Sequence, residues 1–297
     1  MRTSFFTVSF ERPNARLRLV LERVIAKFRH GIHRSTHASS TGIEFRGFKP
    51  YEPSDPPGAI DYFASERFSD EPELMPVVRM FHPEREIGVV FLLDISETMR
   101  VPQKKFLCAL EVLWLFALSA FKFHDRFRIV FFDETPRYDS GWLFTEDAVV
   151  EFFSSFSRGK IQELKVSHNI FSHLASLSLS DTMIPIVSDF AVRDKASLDA
   201  VRRLNLFERN IKLVFIALDE WEGFCTSGYT IKLRDPRTAN IRNYSPGEVA
   251  ELVRVARESL SDLRDKVRPL SVPFIEVPLI ADAVSVVQNA FLRMGYQ

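Results

Sequence analysis

Two acidic residues follow apolar runs at positions where a buried strand would end. Asp94 closes VVFLLD and Asp189 closes IPIVSD. Asp94 also opens a D-x-S-x-T spacing with Ser96 and Thr98. Alternate residues project to one side of an extended chain, so these three oxygen-bearing side chains can converge above a sheet edge as the backbone turns toward its next helix. Two hydroxyls with one or two carboxylates make the donor set of a hard cation. Mg²⁺ takes octahedral oxygens at about 2.1 Å and keeps several waters, so the set leaves a coordination position open to a carboxylate from elsewhere. Mn²⁺ favours the same oxygens.

The elements that must position these residues begin with Ile87 to Leu93, a continuous apolar run suited to a strand buried on both faces. Further strands are expected over 128–132, 183–187, 211–217 and 274–278, and helices over 145–157, 169–177, 195–206, 246–267 and 281–294. Residues 229–244 read as a short hairpin excursion around Asp235-Pro236. Residues 104–123 are apolar almost all round, broken by Glu111 and Ser119. Their uninterrupted apolar stretch falls short of the roughly 18 residues of a membrane span, so they read as a buried helix, with Cys108 a small core residue. Strands alternating with helices imply an α/β fold with a mostly parallel sheet and helices on both faces. In such sheets ligands sit beyond the carboxyl ends of the strands, where the strand order reverses.

At 297 residues, with 46% apolar and 26% charged residues, the chain can bury a sizeable core and is neither collagen-like nor wholly disordered. Lys plus Arg equals Asp plus Glu at 39 each, so no global field favours nucleic acid or an anionic membrane. Two cysteines, Cys108 and Cys225, lack metal-ligand spacing and are too few for a disulfide framework; the cytoplasm is the expected compartment. Residues 1–10 do not resemble a signal peptide.

The neutral total hides a dipole. Residues 1–50 carry ten Lys/Arg against three Glu, and residues 51–100 four Arg against eleven Asp/Glu. Residues 14–29 read as a basic amphipathic helix that docks on the rest of the protein, with a membrane surface as its alternative. His30, His33 and His37 follow in a Ser/Thr-rich run, where they could bind metal only if the helix continued. Tyr51, Pro53, Pro56, Pro57 and Gly58 then make a turn-rich stretch, with Ile60 and Phe63 as anchors and Asp61 and Arg67 available to pair or cap. Lys49, Asp55 and Asp61 could alternatively face a partner.

Asp94, Ser96, Thr98 and Asp189 together resemble, in type and order, the metal-ion-dependent adhesion site of the von Willebrand factor A fold. That resemblance implies a further Thr in a loop near 165–170, where this chain reads KVSHNIF. Ser167 could supply the hydroxyl, or His168 could stand in its place. Ahead of this, RGFKPYEPSDPPGAIDYFASER at 46–67 resembles the signature of the bacterial domain-of-unknown-function family fifty-eight, R-G-x-R-x-Y-x-P-G-D-x-x-R-x-I-D-W-x-x-x-A-R. Arg46, Gly47, Tyr51, Pro53, Asp55, Ile60, Asp61 and Arg67 agree; Lys49, Ser54, Gly58, Tyr62 and Glu66 depart from it. LRDPRTAN at 233–240 and the closing VPFIEVPLIADAVSVVQNAFLRM resemble the same family. The match spans roughly 40–297.

The resemblance implies an N-terminal helix and turn-rich arm over 1–83 and a von Willebrand A-like domain over 84–297. It further implies a non-enzymatic adaptor working with a MoxR-type AAA+ ATPase or its client, which would capture an acidic partner residue through Mg²⁺ or Mn²⁺. Asp94, Ser96, Thr98, Ser167 and Asp189 are the site residues, with Asp189 acting from the second shell. The same D-x-S-x-T resembles, from the enzyme class, the haloacid-dehalogenase-like phosphohydrolases; Asp94 would then be the nucleophile and Asp189 with Asp194 would hold Mg²⁺. The second acid that protonates the leaving group is replaced by Ser96, which has no useful acidity near neutral pH. Walker A, G-x-S-x-G, H-E-x-x-H and G-x-G-x-x-G motifs are absent from the sequence.

Overall fold

The computed structural model describes residues 44–53, 55–68, 76–82, 87–133, 135–165, 170–177, 179–190, 211–221, 230–235, 238, 240–270 and 272–294. The expected helices at 14–29 and 195–206, the three histidines at 30–37, and Ser167, His168, Asp194 and Cys225 lie outside these residues. The described chain divides into two compact units, one within residues 30–86 and one from Ile87 onward.

In the smaller unit, β1 (Glu44–Pro50) pairs antiparallel with β2 (Val77–His82). A 3₁₀ turn at Pro57–Ala59 and the short helix α1 (Tyr62–Phe68) lie between them. Polar contacts fix this stretch. Asp61 accepts the amide of Ala64 at 3.0 Å at the start of α1 and pairs with Arg79, rather than with Arg67. Ser65 Oγ accepts the Val77 amide at 2.8 Å and donates to Asp61 O at 2.7 Å. Lys49 pairs with Asp55 at 2.8 Å. Ile60 bridges to Val78, but Phe63 is 82% exposed and anchors nothing within the unit. The inward positions of this helix are taken by Ala64 and hydrogen-bonded Ser65.

The larger unit contains β3 (Gly88–Asp94), α2 (Gln103–Lys122), β4 (Arg126–Phe132), β5 (Pro136–Leu143), α3 (Glu146–Ser157), α4 (Ile170–Ser176), β6 (Thr182–Ser188), β7 (Ile211–Asp219), β8 (Ile231–Arg234), β9 (Ile241–Tyr244), α5 (Pro246–Val267), β10 (Phe274–Pro278) and α6 (Ala283–Met294). Six strands form one sheet in the order β10-β7-β6-β3-β4-β5. Neighbours run parallel except β5, which lies antiparallel on β4. β8 and β9 form a separate hairpin.

Alternation along each strand sorts the core into two layers. On one face Val90, Leu92, Ile184, Ile186, Leu213 and Phe215 pack against Ile170 and Leu174 of α4 and Leu263 and Val267 of α5. On the other, Phe91 meets Phe116 of α2 at 5.7 Å, Phe116 meets Phe291 of α6 at 5.8 Å, and Phe131 is enclosed by Phe152, Phe153 and Phe156 of α3. α2 is apolar nearly all round because it serves this layer against both sheet and helices. No described helix is long and apolar enough to cross a membrane.

From β3 the chain moves outward to β4 and β5, whereas from β6 it moves the other way to β7 and β10. The order therefore reverses between β3 and β6, whose carboxyl ends carry Asp94 and Asp189.

Candidate functional site at the switch in strand order

Asp94 ends β3 with its carboxylate turned back on the following residues. Its Oδ1 accepts the Ser96 amide at 2.7 Å, an Asx turn that directs the chain into the 3₁₀ segment Thr98–Arg100. Within that turn Ser96 Oγ and Thr98 Oγ1 stand 3.1 Å apart. On the adjacent strand Ser188 Oγ donates to Asp94 Oδ2 at 2.5 Å and accepts the Phe190 amide at 2.8 Å. Phe190 has a left-handed backbone, φ 50°, a conformation that bulky residues adopt only when their surroundings enforce it. Its ring is held against Phe215 and Phe274, with centroids 5.3 and 6.1 Å away. This turn carries Asp189 across the strand gap, where its Oδ1 accepts a hydrogen bond from Thr98 Oγ1 at 3.3 Å.

Four of the five residues singled out from the sequence thus meet at one point; Ser167 is outside the described chain. Two further residues join them. Lys105 of α2, with a side chain 0% exposed, directs Nζ to Thr98 O at 3.0 Å, Asp189 Oδ2 at 2.8 Å and Glu220 Oε1 at 3.0 Å. Glu220 follows β7 directly, next to buried Asp219. Sequence signals for both existed. IALDE ends β7 as LLD ends β3, and a lysine in the first turn of a helix opposes the helix dipole, an anomaly that asks for a nearby acid.

Burial dominates the electrostatics of Asp94. With the residue only 7% exposed, desolvation pushes its carboxyl up to about 6, opposed by the hydrogen bonds from Ser188 and Ser96 and reinforced by the charge of Asp189. No described cation pairs with it. Burial also raises the Glu220 carboxyl, against the pull of Lys105.

Octahedral oxygens at about 2.1 Å from a cation lie about 3.0 Å from their neighbours. The Ser96–Thr98 and Thr98–Asp189 oxygen separations of 3.1 and 3.3 Å match two such edges. A buried carboxylate without an ion pair beside them supplies the charge that a divalent ion would satisfy. These side chains fit a hexacoordinate, oxygen-seeking cation, although no cluster of three or more His, Cys, Asp or Glu poised for a metal exists among the described residues. Two of the donors are hydroxyls.

The mostly parallel six-stranded sheet with helices on both faces is an α/β architecture consistent with the von Willebrand A-like, Rossmann-type fold. No protein-family profile matches the chain, and no curated protein does. Among solved structures, the conserved hypothetical protein BatB from Bacteroides thetaiotaomicron is similar at 14% identity and a TM-score of 0.41, over 71% of this chain and 100% of that one. The fold assignment rests on the strand order itself.

Proposed function

We propose that this chain is a non-enzymatic, cytoplasmic adaptor of the bacterial family fifty-eight type, which holds a divalent cation at its adhesion site and uses it to bind an acidic residue of a partner. The partner class is a MoxR-type AAA+ ATPase or its client. One observation carries the reading: Asp94, Ser96, Thr98 and Asp189, separated by up to 95 positions, converge where the strand order reverses, with oxygens at coordination-edge spacing. Mg²⁺ or Mn²⁺ would supply a Lewis-acidic position for the incoming carboxylate. Ser96 and Thr98 would offer their hydroxyls and Asp94 its charge, directly or through water; Asp189, expected to act from behind these ligands, would instead stand beside them, its Oδ1 being 3.3 Å from Thr98 Oγ1, and Ser167 is implied by the resemblance alone.

Two features support the reading from the residues upward. Asp94 is held ionisable yet unpaired, a costly arrangement in a core unless a cation meets it. In the smaller unit, the signature residues Asp55 and Asp61 are occupied with Lys49 and Arg79, so that segment builds a scaffold rather than a second charged site.

Calorimetric titration of Mg²⁺ and Mn²⁺ into wild type and Asp94→Ala tests the proposal. Heat of binding in wild type, lost in the variant, is expected; identical heats overturn it. In the same preparation an aryl phosphate with Mg²⁺ should not turn over, and turnover lost in Asp94→Asn would replace the adaptor reading with the phosphohydrolase one. The ATPase should accompany the wild-type chain in a pull-down with Mg²⁺ and be released by EDTA.

A further inference from the structure

A fully buried lysine in the first turn of a helix is the least expected side chain among the described residues. Burying an ammonium is expensive, and its place at the positive end of the α2 dipole adds to the cost. The neighbouring Lys104 is exposed, whereas Lys105 shares the inward face of Cys108, Ala109 and Val112, all buried, where an apolar residue would be expected. Its three donor hydrogens are matched by three acceptors: Thr98 O, Asp189 Oδ2 and Glu220 Oε1. Those acceptors belong to the segments that follow β3, β6 and β7.

We propose that Lys105 is the resident cation of the switch point, a positioning residue whose ammonium holds the three strand-end segments together before any divalent ion arrives. The geometry divides the work. Asp189 turns Oδ2 to Lys105 and Oδ1 to Thr98, so one carboxylate is shared between the tethered cation and the hydroxyl pair. Asp94 accepts from Ser96 and Ser188 and takes no part in the Lys105 contacts. A metal ion would therefore enter a site already formed, and its removal would leave Thr98 and Asp189 in place. The assembling role stands on the Lys105 contacts; only the statement about metal entry rests on the adhesion-site reading.

The test is a double-mutant cycle on Lys105→Met and Glu220→Gln, followed by thermal unfolding in EDTA and in saturating Mn²⁺. Lys105→Met keeps the aliphatic stem and removes the charge, and in EDTA its melting temperature should fall by about 10 °C, the scale for breaking a buried pair in a chain of this size. Adding Glu220→Gln should restore part of that loss, which a purely packing role would not allow. Mn²⁺ should raise the melting temperature of Lys105→Met more than that of wild type. An unchanged melting temperature in EDTA, or no coupling to Glu220, overturns the proposal. Coupling that persists when neither protein responds to Mn²⁺ supports the lysine network and refutes the metal site.

Should Lys105→Met fail to fold, wild type carries the test. With ¹⁵N-labelled lysine in EDTA, one ammonium correlation should persist through solvent exchange, and Glu220→Gln should shift it. Absence of a protected ammonium signal overturns the proposal.

Discussion

Replacing Asp94 with Asn should stabilise the metal-free protein at neutral pH. The carboxyl is pushed from 3.8 up to about 6, chiefly by burial. An acid whose folded pKa lies above its unfolded one holds its proton more tightly in the native state, so the native state loses ground as pH rises between the two values. The penalty is absent below pH about 4 and complete above about 7; at 1.36 kcal/mol per pH unit it reaches about 3 kcal/mol. Asn retains the geometry. Its Oδ1 still accepts from the Ser96 amide, and its Nδ2 can donate to Ser188 Oγ, whose second lone pair already receives the Phe190 amide. Urea unfolding of both proteins in EDTA should therefore show the Asn variant ahead by about 1–3 kcal/mol at pH about 7.5, with the gap closing toward pH about 4. Saturating Mg²⁺ should narrow or invert the gap, since the cation favours the ionised carboxylate that Asn lacks. An Asn variant less stable than wild type in EDTA at neutral pH, or a gain independent of pH, would refute the reasoning.

Asp139→Asn should behave in the opposite way. Burial pushes the Asp139 carboxyl up, but hydrogen bonds with His173, Arg128 and the Gly141 amide outweigh it and hold the pKa at about 2, so its stabilisation is present above pH about 4 and lost as pH falls through about 2. The substitution should cost about 2–3 kcal/mol at neutral pH in urea unfolding, and a loss as large at pH about 2 would contradict this account. Gly88→Ala should destabilise by about 1–3 kcal/mol in the same assay, since the added methyl would stand 2.9 Å from Trp142 Cη2 and 3.1 Å from Thr182 Oγ1. The indole cannot easily give way, because Arg126 lies 4.8 Å and Arg128 5.7 Å from its centroid; a neutral effect would show that it does.

The buried parallel elements were readable because their side chains face core on both sides. β6 and β7 extend the expected strands by a residue or two, and α5 and β10 have the expected bounds. Thr145, expected as the first residue of a helix, is its N-cap, with Oγ1 accepting the Ala148 amide. β5 was not foreseen. Its sequence PRYDSGWL is buried only at its ends, contains Gly141 at φ 66°, and pairs with β4 through two register irregularities, as an edge strand does. Nor was the β1–β2 pairing read, since turn residues dominate the segment between those strands. At the site, D-x-S-x-T and the acid after β6 were legible as strand ends. Lys105 was passed over even though its place against the helix dipole was a signal, because a paired KK ahead of an apolar run reads as a solvated helix start.

Asp94 and Asp139 make a controlled comparison within one sheet. Both are buried carboxylates. Asp139, near the outer edge, receives a two-pronged Arg128 contact at 2.7 and 2.6 Å with His173 beside it, and its charge is a source of stability. Asp94, at the switch in strand order, receives hydrogen bonds from Ser188 and Ser96 but no cation, and its charge is a cost. The fold shows that it can satisfy a buried acid at this depth, and Lys105 shows that a cation can be built within one residue's reach of the switch point. Without a cation beside it, ionised Asp94 is a cost to this core where ionised Asp139 is a gain, so the two aspartates should respond to pH with opposite sign.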